Sequence, residues 1–221
     1  MHFSVRKFYG VNHLWAKPAR PPNSWLAYFG LTLMTKTKEM IVDFRRQEHS
    51  PGKTIIHNNE VEIVSKHKYP DTIFDDKLKW DDNAEEIVKK GQQRLCLLRK
   101  LNYFSADQKI LTLFYKSFIE SVLSFSFTCW FHCLGVKNRN SLQRIVRIAS
   151  KITAMPQRDL ALFCEQQILR KARSILTKKD HILNREFTTL PSGRRLTCPT
   201  CKTNRFKNSF TPVALCLFNN T

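Results

Sequence analysis

"DDNAEEIVKKGQQRLCLLRKL", residues 81–101, is where the hydrophobic period of the chain changes from two to about 3.6. Ala84, Ile87, Val88, Gly91, Leu95 and Leu98 fall on one helical face. Asp81 and Asp82 are good caps, and Glu85 and Glu86 sit in the first turn, where the helix dipole favours anions. Working downstream, a second helix is expected from about Ala106. Its apolar stripe reads Ile110, Leu111, Phe114, Tyr115, Phe118 and Val122, with Lys109, Lys116 and Glu120 opposite. A third, from about Asn140, turns Leu142, Ile145, Val146, Ala149 and Ile152 inward and leaves Arg144, Arg147 and Lys151 together outside. A fourth covers roughly residues 158–176.

Upstream of residue 81 the pattern is that of strands. "EMIVDF", residues 39–44, fits an apolar strand. "TIIHNNEVEIV", residues 54–64, reads as a hairpin turning at Asn58-Asn59, since asparagine tolerates the positive φ such a turn needs. Residues 69–74 could add a further strand, with Pro70 confining it to an edge or bulge. Residues 1–34 show no period and contain "AKPARPPNSW", which reads as an unrelated, disordered leader or linker. The expected fold is therefore α+β. A small antiparallel sheet over residues 35–80 precedes a helical bundle over 81–180, and an irregular basic tail covers 181–221.

Charge points to a class of partner. Residues 1–86 carry a net +1, and residues 87–221 carry the remaining +18 of the formal +19. A field of that sign attracts polyanions, and nucleic acid, RNA or DNA, is the expected one. Arg144, Arg147 and Lys151 line one helical face, while Arg194, Arg195, Lys202, Arg205 and Lys207 crowd the tail with Phe206 and Phe210 between them. Arginines hold phosphates and aromatic rings stack on bases, which gives weak, salt-dependent binding with little sequence choice.

Seven cysteines with no regular framework suit a reducing compartment. The N-terminus lacks the apolar core of a signal peptide, and the uncharged run over residues 122–136 is shorter than a spanning helix needs. An intracellular protein without a membrane partner is expected. Cys198-Pro-Thr-Cys201 is half of a zinc knuckle. With Cys216 as the only later ligand type, the four tetrahedral positions that zinc takes are not filled, so no metal is expected there.

The series "KTKEMIVDFRR", "VEIVSKHKYPDTIFDDKLKW", "QRLCLLRKLNYF", "FYKSFIESVLSFSFTCWF", "LQRIVRIASKI" and "LPSGRRL" resembles, in that order, the C-terminal part of non-LTR (LINE-type) retrotransposon reverse transcriptases. The likeness runs from about Lys36 to the end of the chain. It implies that the sheet is a palm remnant and the bundle a thumb that grips a template–primer duplex. It also implies an RNA-directed DNA polymerase in which three aspartates hold two magnesium ions for phosphoryl transfer. Residues 1–34, where two of those aspartates belong, contain no Asp or Glu. Asp75-Asp76 and Asp81-Asp82 lie on the wrong side of the residue 39–44 strand and lack the preceding aromatic. The resemblance thus implies a truncated, non-catalytic remnant with no catalytic residues and no metal of its own. Lys36 or Lys38 matches the family's lysine near the leaving phosphate and counts among the nucleic-acid contacts. Tyr69-Pro70-Asp71 replaces the family's Tyr-Leu-Gly, so a poorly formed hairpin is expected there.

Residues 36–101 also resemble the N-terminal domain of the eighth AlkB homologue, a tRNA-modifying protein. That likeness implies methyltransferase and 2-oxoglutarate-dependent dioxygenase activities, with S-adenosylmethionine and ferrous iron as cofactors. None of the seven histidines has an Asp or Glu two places on, the spacing of an iron facial triad. The six glycines form no glycine-rich turn for a nucleotide-like cofactor.

Overall fold

A computed structural model describes residues 3–6, 38–44, 52, 54–56 and 59–220. The chain divides into two compact units, residues 1–78 and 79–221.

The first unit is built on strand β2, Lys38–Val42, whose Glu39, Met40 and Val42 are buried. Strand β1, Phe3–Arg6, pairs with it antiparallel, Phe3 opposite Val42. This corrects the reading of residues 1–34 as an unstructured leader, because at least that segment is recruited as a strand. Strands β3, Ile55–Ile56, and β4, Asn59–Glu60, form a hairpin in the register Ile55 to Glu60 and Ile56 to Asn59. Asn59 is thus paired in β4 rather than placed in the turn expected at Asn58-Asn59, and residues 57 and 58 lie outside the described residues. Strand β5, Glu62–Ile63, runs parallel to β2, so the sheet is mixed rather than purely antiparallel.

Strands β6, Lys66–Tyr69, and β7, Thr72–Asp75, close a two-residue hairpin around Pro70-Asp71. Proline was expected to spoil this element. It sits in the turn instead, where its fixed φ suits the first corner and its missing N–H breaks no ladder bond.

The second unit is helical. Helix α1, Asp81–Tyr103, buries Asn83, Ala84, Ile87, Gly91, Leu95 and Leu98. Its N-cap is Trp80, in left-handed backbone and largely buried, rather than an aspartate. Asp81 instead accepts a hydrogen bond from Asn138 Nδ2 at 2.7 Å, tying the start of α1 to the helix that begins at Val136. Helix α4, Val136–Thr153, buries Leu142, Ile145, Val146, Ala149 and Thr153 and packs along α1. Gly91 makes that approach close, since a Cβ there would stand 2.7 Å from Ile145 Cδ1.

Helix α2 begins at Gln108–Phe114, passes through a π-helical segment, Tyr115–Glu120, and ends at Ser121–Leu123. Its buried line is Leu111, Tyr115, Ile119 and Leu123, while Ile110, Leu113 and Phe118 are exposed. Of the expected stripe Leu111 and Tyr115 are buried, and further along it is displaced by one position, from Phe118 and Val122 to Ile119 and Leu123. In an α-helix each four-residue step drifts by about 40°. The wider π turn cancels that drift and keeps residues four apart in line.

Ser126, in left-handed backbone, separates α2 from α3, Phe127–Trp130, whose Trp130 Nε1 donates to the Phe125 carbonyl at 2.9 Å. By length and composition Gln108–Cys133 is a helical run apolar enough to cross a membrane, longer than the run read from the sequence. Within the unit it contributes Tyr115, Ile119, Leu123, Phe127 and Trp130 to the core.

Helix α5, Leu160–Thr177, buries Leu160, Cys164, Ile168, Ala172 and Ile175, and is capped by Asp159 Oδ1, which accepts from the Ala161 N–H at 2.8 Å. The tail is irregular only in part. It ends in a short helix α6, Asn204–Lys207, and in α7, Phe210–Asn219, which packs on α5 with Ala214 and Leu215 fully buried. Only ten residues long, α7 has too few apolar repeats to announce itself among basic neighbours.

Candidate nucleic-acid interface

Helix α4 is amphipathic in charge as well as in hydropathy. With its apolar face turned to α1, Arg144, Arg147 and Lys151 are all exposed on the outer side. From Arg144 to Lys151 the helix rises about 10 Å, room for more than one phosphate. Lys137 is exposed too, seven residues before Arg144 and hence on nearly the same face. It was missed because the helix was expected to begin at Asn140 rather than Val136. The i, i+7 recurrence of Lys137, Arg144 and Lys151 was the available signal. Arg170, Lys171 and Arg173 on α5 are exposed as well, Arg170 and Arg173 at the i, i+3 spacing of one face, and were not singled out from the sequence.

Not every nearby cation is free to meet a ligand. Arg139 is committed to the fold, donating from Nε to the Leu134 carbonyl at 2.9 Å and from Nη2 to His132 O at 3.3 Å. Arg94 likewise donates to the Phe118 carbonyl. In the first unit, Lys38 is exposed but ion-paired with Glu62 at 3.1 Å, which weakens its case as a phosphate contact. Lys36 lies outside the described residues.

The tail cations are presented by two separate devices. Residues 188–197 form a tight hairpin in which the Leu190 N–H donates to the Arg195 carbonyl and the Thr197 N–H to Thr188 O, each at 2.8 Å. Gly193 turns it with φ +68°, a value that suits glycine, and the chain returns through exposed Arg194 and Arg195. Asn219 at the end of α7 clamps the returning strand, accepting from the Leu196 N–H at 2.8 Å and donating to Leu196 O at 3.0 Å. Arg205 and Lys207 ride on α6, which Thr203 Oγ1 caps by accepting from the Phe206 N–H at 3.2 Å. Phe206 is exposed among them, Phe210 is half-buried, and Lys202 is exposed in the connecting segment. Cys133, just before α4, donates from Sγ to the Asn208 carbonyl at 3.4 Å, so the end of α6 stands close to the start of α4. Arg144, Arg147 and Lys151 follow one to three turns further along that helix.

Among the described residues no three His, Cys, Asp or Glu side chains are grouped so as to hold a metal ion. The His132 imidazole is held below its ordinary value by burial and by the charge of Arg139. Burial pushes the Cys164 thiol up to about 12, with Glu165 and Cys129 adding to it. These groups are held neutral at ordinary pH and belong to the core rather than to the basic surface.

Fold and surface together describe an α+β protein whose helical unit displays cations on an outer helix face and on a clamped tail. The family described as alkylated DNA repair protein alkB homolog 8, N-terminal, matches residues 80–121. The match spans about one fifth of the chain, covering α1 and nearly all of α2. It begins at Trp80, so it shares only residues 80–101 with the segment in which that likeness was expected. No curated protein and no solved structure matches the chain.

Proposed function

We propose that this chain binds nucleic acid through phosphate contacts, with little sequence preference, using Arg144, Arg147 and Lys151 of α4 and the tail cations Arg194, Arg195, Lys202, Arg205 and Lys207. The observation that carries the reading is the outer face of α4, where the three cations are exposed with no acidic side chain among them. Phosphate binding releases counterions, so affinity for a labelled RNA or DNA should fall steeply between about 50 and 200 mM salt. Flat affinity across that range refutes the proposal.

Two lineages could supply such a surface. The match over residues 80–121 favours the AlkB-homologue-8 side, on which the chain serves the repair or modification of alkylated nucleic acid. That reading brings methyltransferase or 2-oxoglutarate-dependent dioxygenase activity with it as a proposal. Saturable binding of S-adenosylmethionine, or of ferrous iron with 2-oxoglutarate, supports it, and failure to bind either removes the enzymatic part. The ordered motif series from Lys36 onward supports the other lineage, a non-catalytic remnant of a retroelement RNA-directed DNA polymerase. Magnesium-dependent primer extension by the pure protein would contradict the non-catalytic part of that reading.

A further inference from the structure

Cys198 and Cys216 are 18 residues apart in sequence and meet in the fold. The Asn219 clamp on Leu196 sets the 196–198 strand against the end of α7, and Cys216 stands one helical turn before Asn219 on the same face. Asn219 Nδ2 also donates to Cys198 Sγ at 3.3 Å. The Cys216 thiol lies near enough to Cys198 to feel that sulfur, and both residues are exposed. Asn219 and Cys216 thus share the helix face that meets Cys198.

The remaining thiols are placed differently. Cys164 is buried. Cys133 is half-buried and donates to the Asn208 carbonyl at 3.4 Å. Cys201, three residues beyond Cys198, turns back to donate to Pro199 O at 3.5 Å. Cys96 and Cys129 are exposed on helices α1 and α3.

We propose that Cys198 and Cys216 are an oxidant-sensitive dithiol, closing to an intrachain disulfide in the presence of a peroxide and staples α7 to the tail hairpin. Partial desolvation, together with the neighbouring Cys198 and Cys201 sulfurs, raises Cys216 above the usual thiol range against the pull of Lys207. We assign the first step to Cys198, the exposed sulfur on which the Asn219 amide is aimed. The Cys198 thiolate attacks one peroxide oxygen, the O–O bond breaks, and the departing hydroxide takes a proton to leave as water. The Cys216 sulfur then attacks the sulfenic sulfur of Cys198. The S–S bond forms, the sulfenic hydroxyl departs, and the Cys216 proton completes a second water. Two thiols lose two electrons and two protons, and one peroxide becomes two waters. The closed ring contains Lys202, Arg205 and Lys207, so the step would fix three tail cations in one arrangement. The crosslink itself is independent of whether the chain binds nucleic acid.

The test uses the full chain treated with hydrogen peroxide, alkylated, and digested without reduction. A Cys198–Cys216 crosslinked peptide, reversed by a thiol reductant, is expected. Its yield should drop more than about tenfold in Cys198→Ser and in Cys216→Ser, and change less than about twofold in Cys201→Ser. Crosslinking of Cys198 to Cys201 alone, or none, overturns the proposal. One equivalent of zinc retained by the untreated protein in native mass spectrometry, protecting these thiols from alkylation, would also overturn it by assigning them to a metal.

Discussion

Replacing Arg144, Arg147 and Lys151 together by alanine tests the interface most directly. The three side chains are exposed on α4, and the packed face of that helix, Leu142, Ile145, Val146 and Ala149, is untouched. Alanine also has the best helix propensity, so the fold should keep its cooperative melt. If each cation neutralises one phosphate of a duplex, its loss lowers the slope of log K against log salt by about 0.9, so three remove about 2.7. Over a fourfold change in salt, from about 50 to 200 mM, the wild-type protein should lose about 40-fold more affinity than the variant. Fluorescence anisotropy with one labelled duplex at four salt concentrations gives both slopes. A single strand should show the smaller decrement of about 2.1. Equal slopes for the two proteins, with the variant folded, would refute the assignment of this face and leave any binding to the tail.

Four further outcomes follow from the packing. Tyr115 is fully buried, and its hydroxyl has no hydrogen-bond partner among the described residues, so Tyr115→Phe should be neutral or stabilise by about 1 kcal/mol in urea denaturation. A clear loss of stability would mean that the hydroxyl is satisfied. Ala154, which ends α4 at φ 50° in left-handed backbone, should give about 0.5–1 kcal/mol when changed to glycine, read as a higher Tm. Gly91→Ala should cost stability alone because its new Cβ meets Ile145 Cδ1. The double variant with Ile145→Val, which removes that atom, should be more stable than the sum of the singles by about 1 kcal/mol.

The last concerns pH. The folded-state value of His132 lies below its ordinary 6.5, so the unfolded chain takes up a proton that the folded chain refuses. Its contribution is complete above about 6.5 and is lost as pH falls below that value, by at most about 1.4 kcal/mol per unit until the folded imidazole also protonates. Denaturation midpoints between about pH 7 and 5 should fall less in His132→Gln than in the wild type.

What the sequence determined by itself is what depends on neighbours a few residues apart. The apolar faces of α1 and α4 were legible because Ala84, Ile87, Gly91, Leu95 and Leu98, and Leu142, Ile145, Val146 and Ala149, recur at helical spacing against a polar background. That background also marked Arg144, Arg147 and Lys151 as an outer face. Where the background is missing the reading slipped. In α2 apolar residues stand on both sides of the helix, so periodicity could not tell Leu111, Tyr115 and Ile119 from Ile110, Phe114 and Phe118. The π turn settled the phase through packing. Contacts between distant segments were not legible either: the recruitment of Phe3–Arg6 by β2, the docking of α7 on α5, the Asn219 clamp and the meeting of Cys198 with Cys216. Each requires the chain to close on itself, and its free energy is shared among many buried groups, so no short stretch of sequence carries its signature.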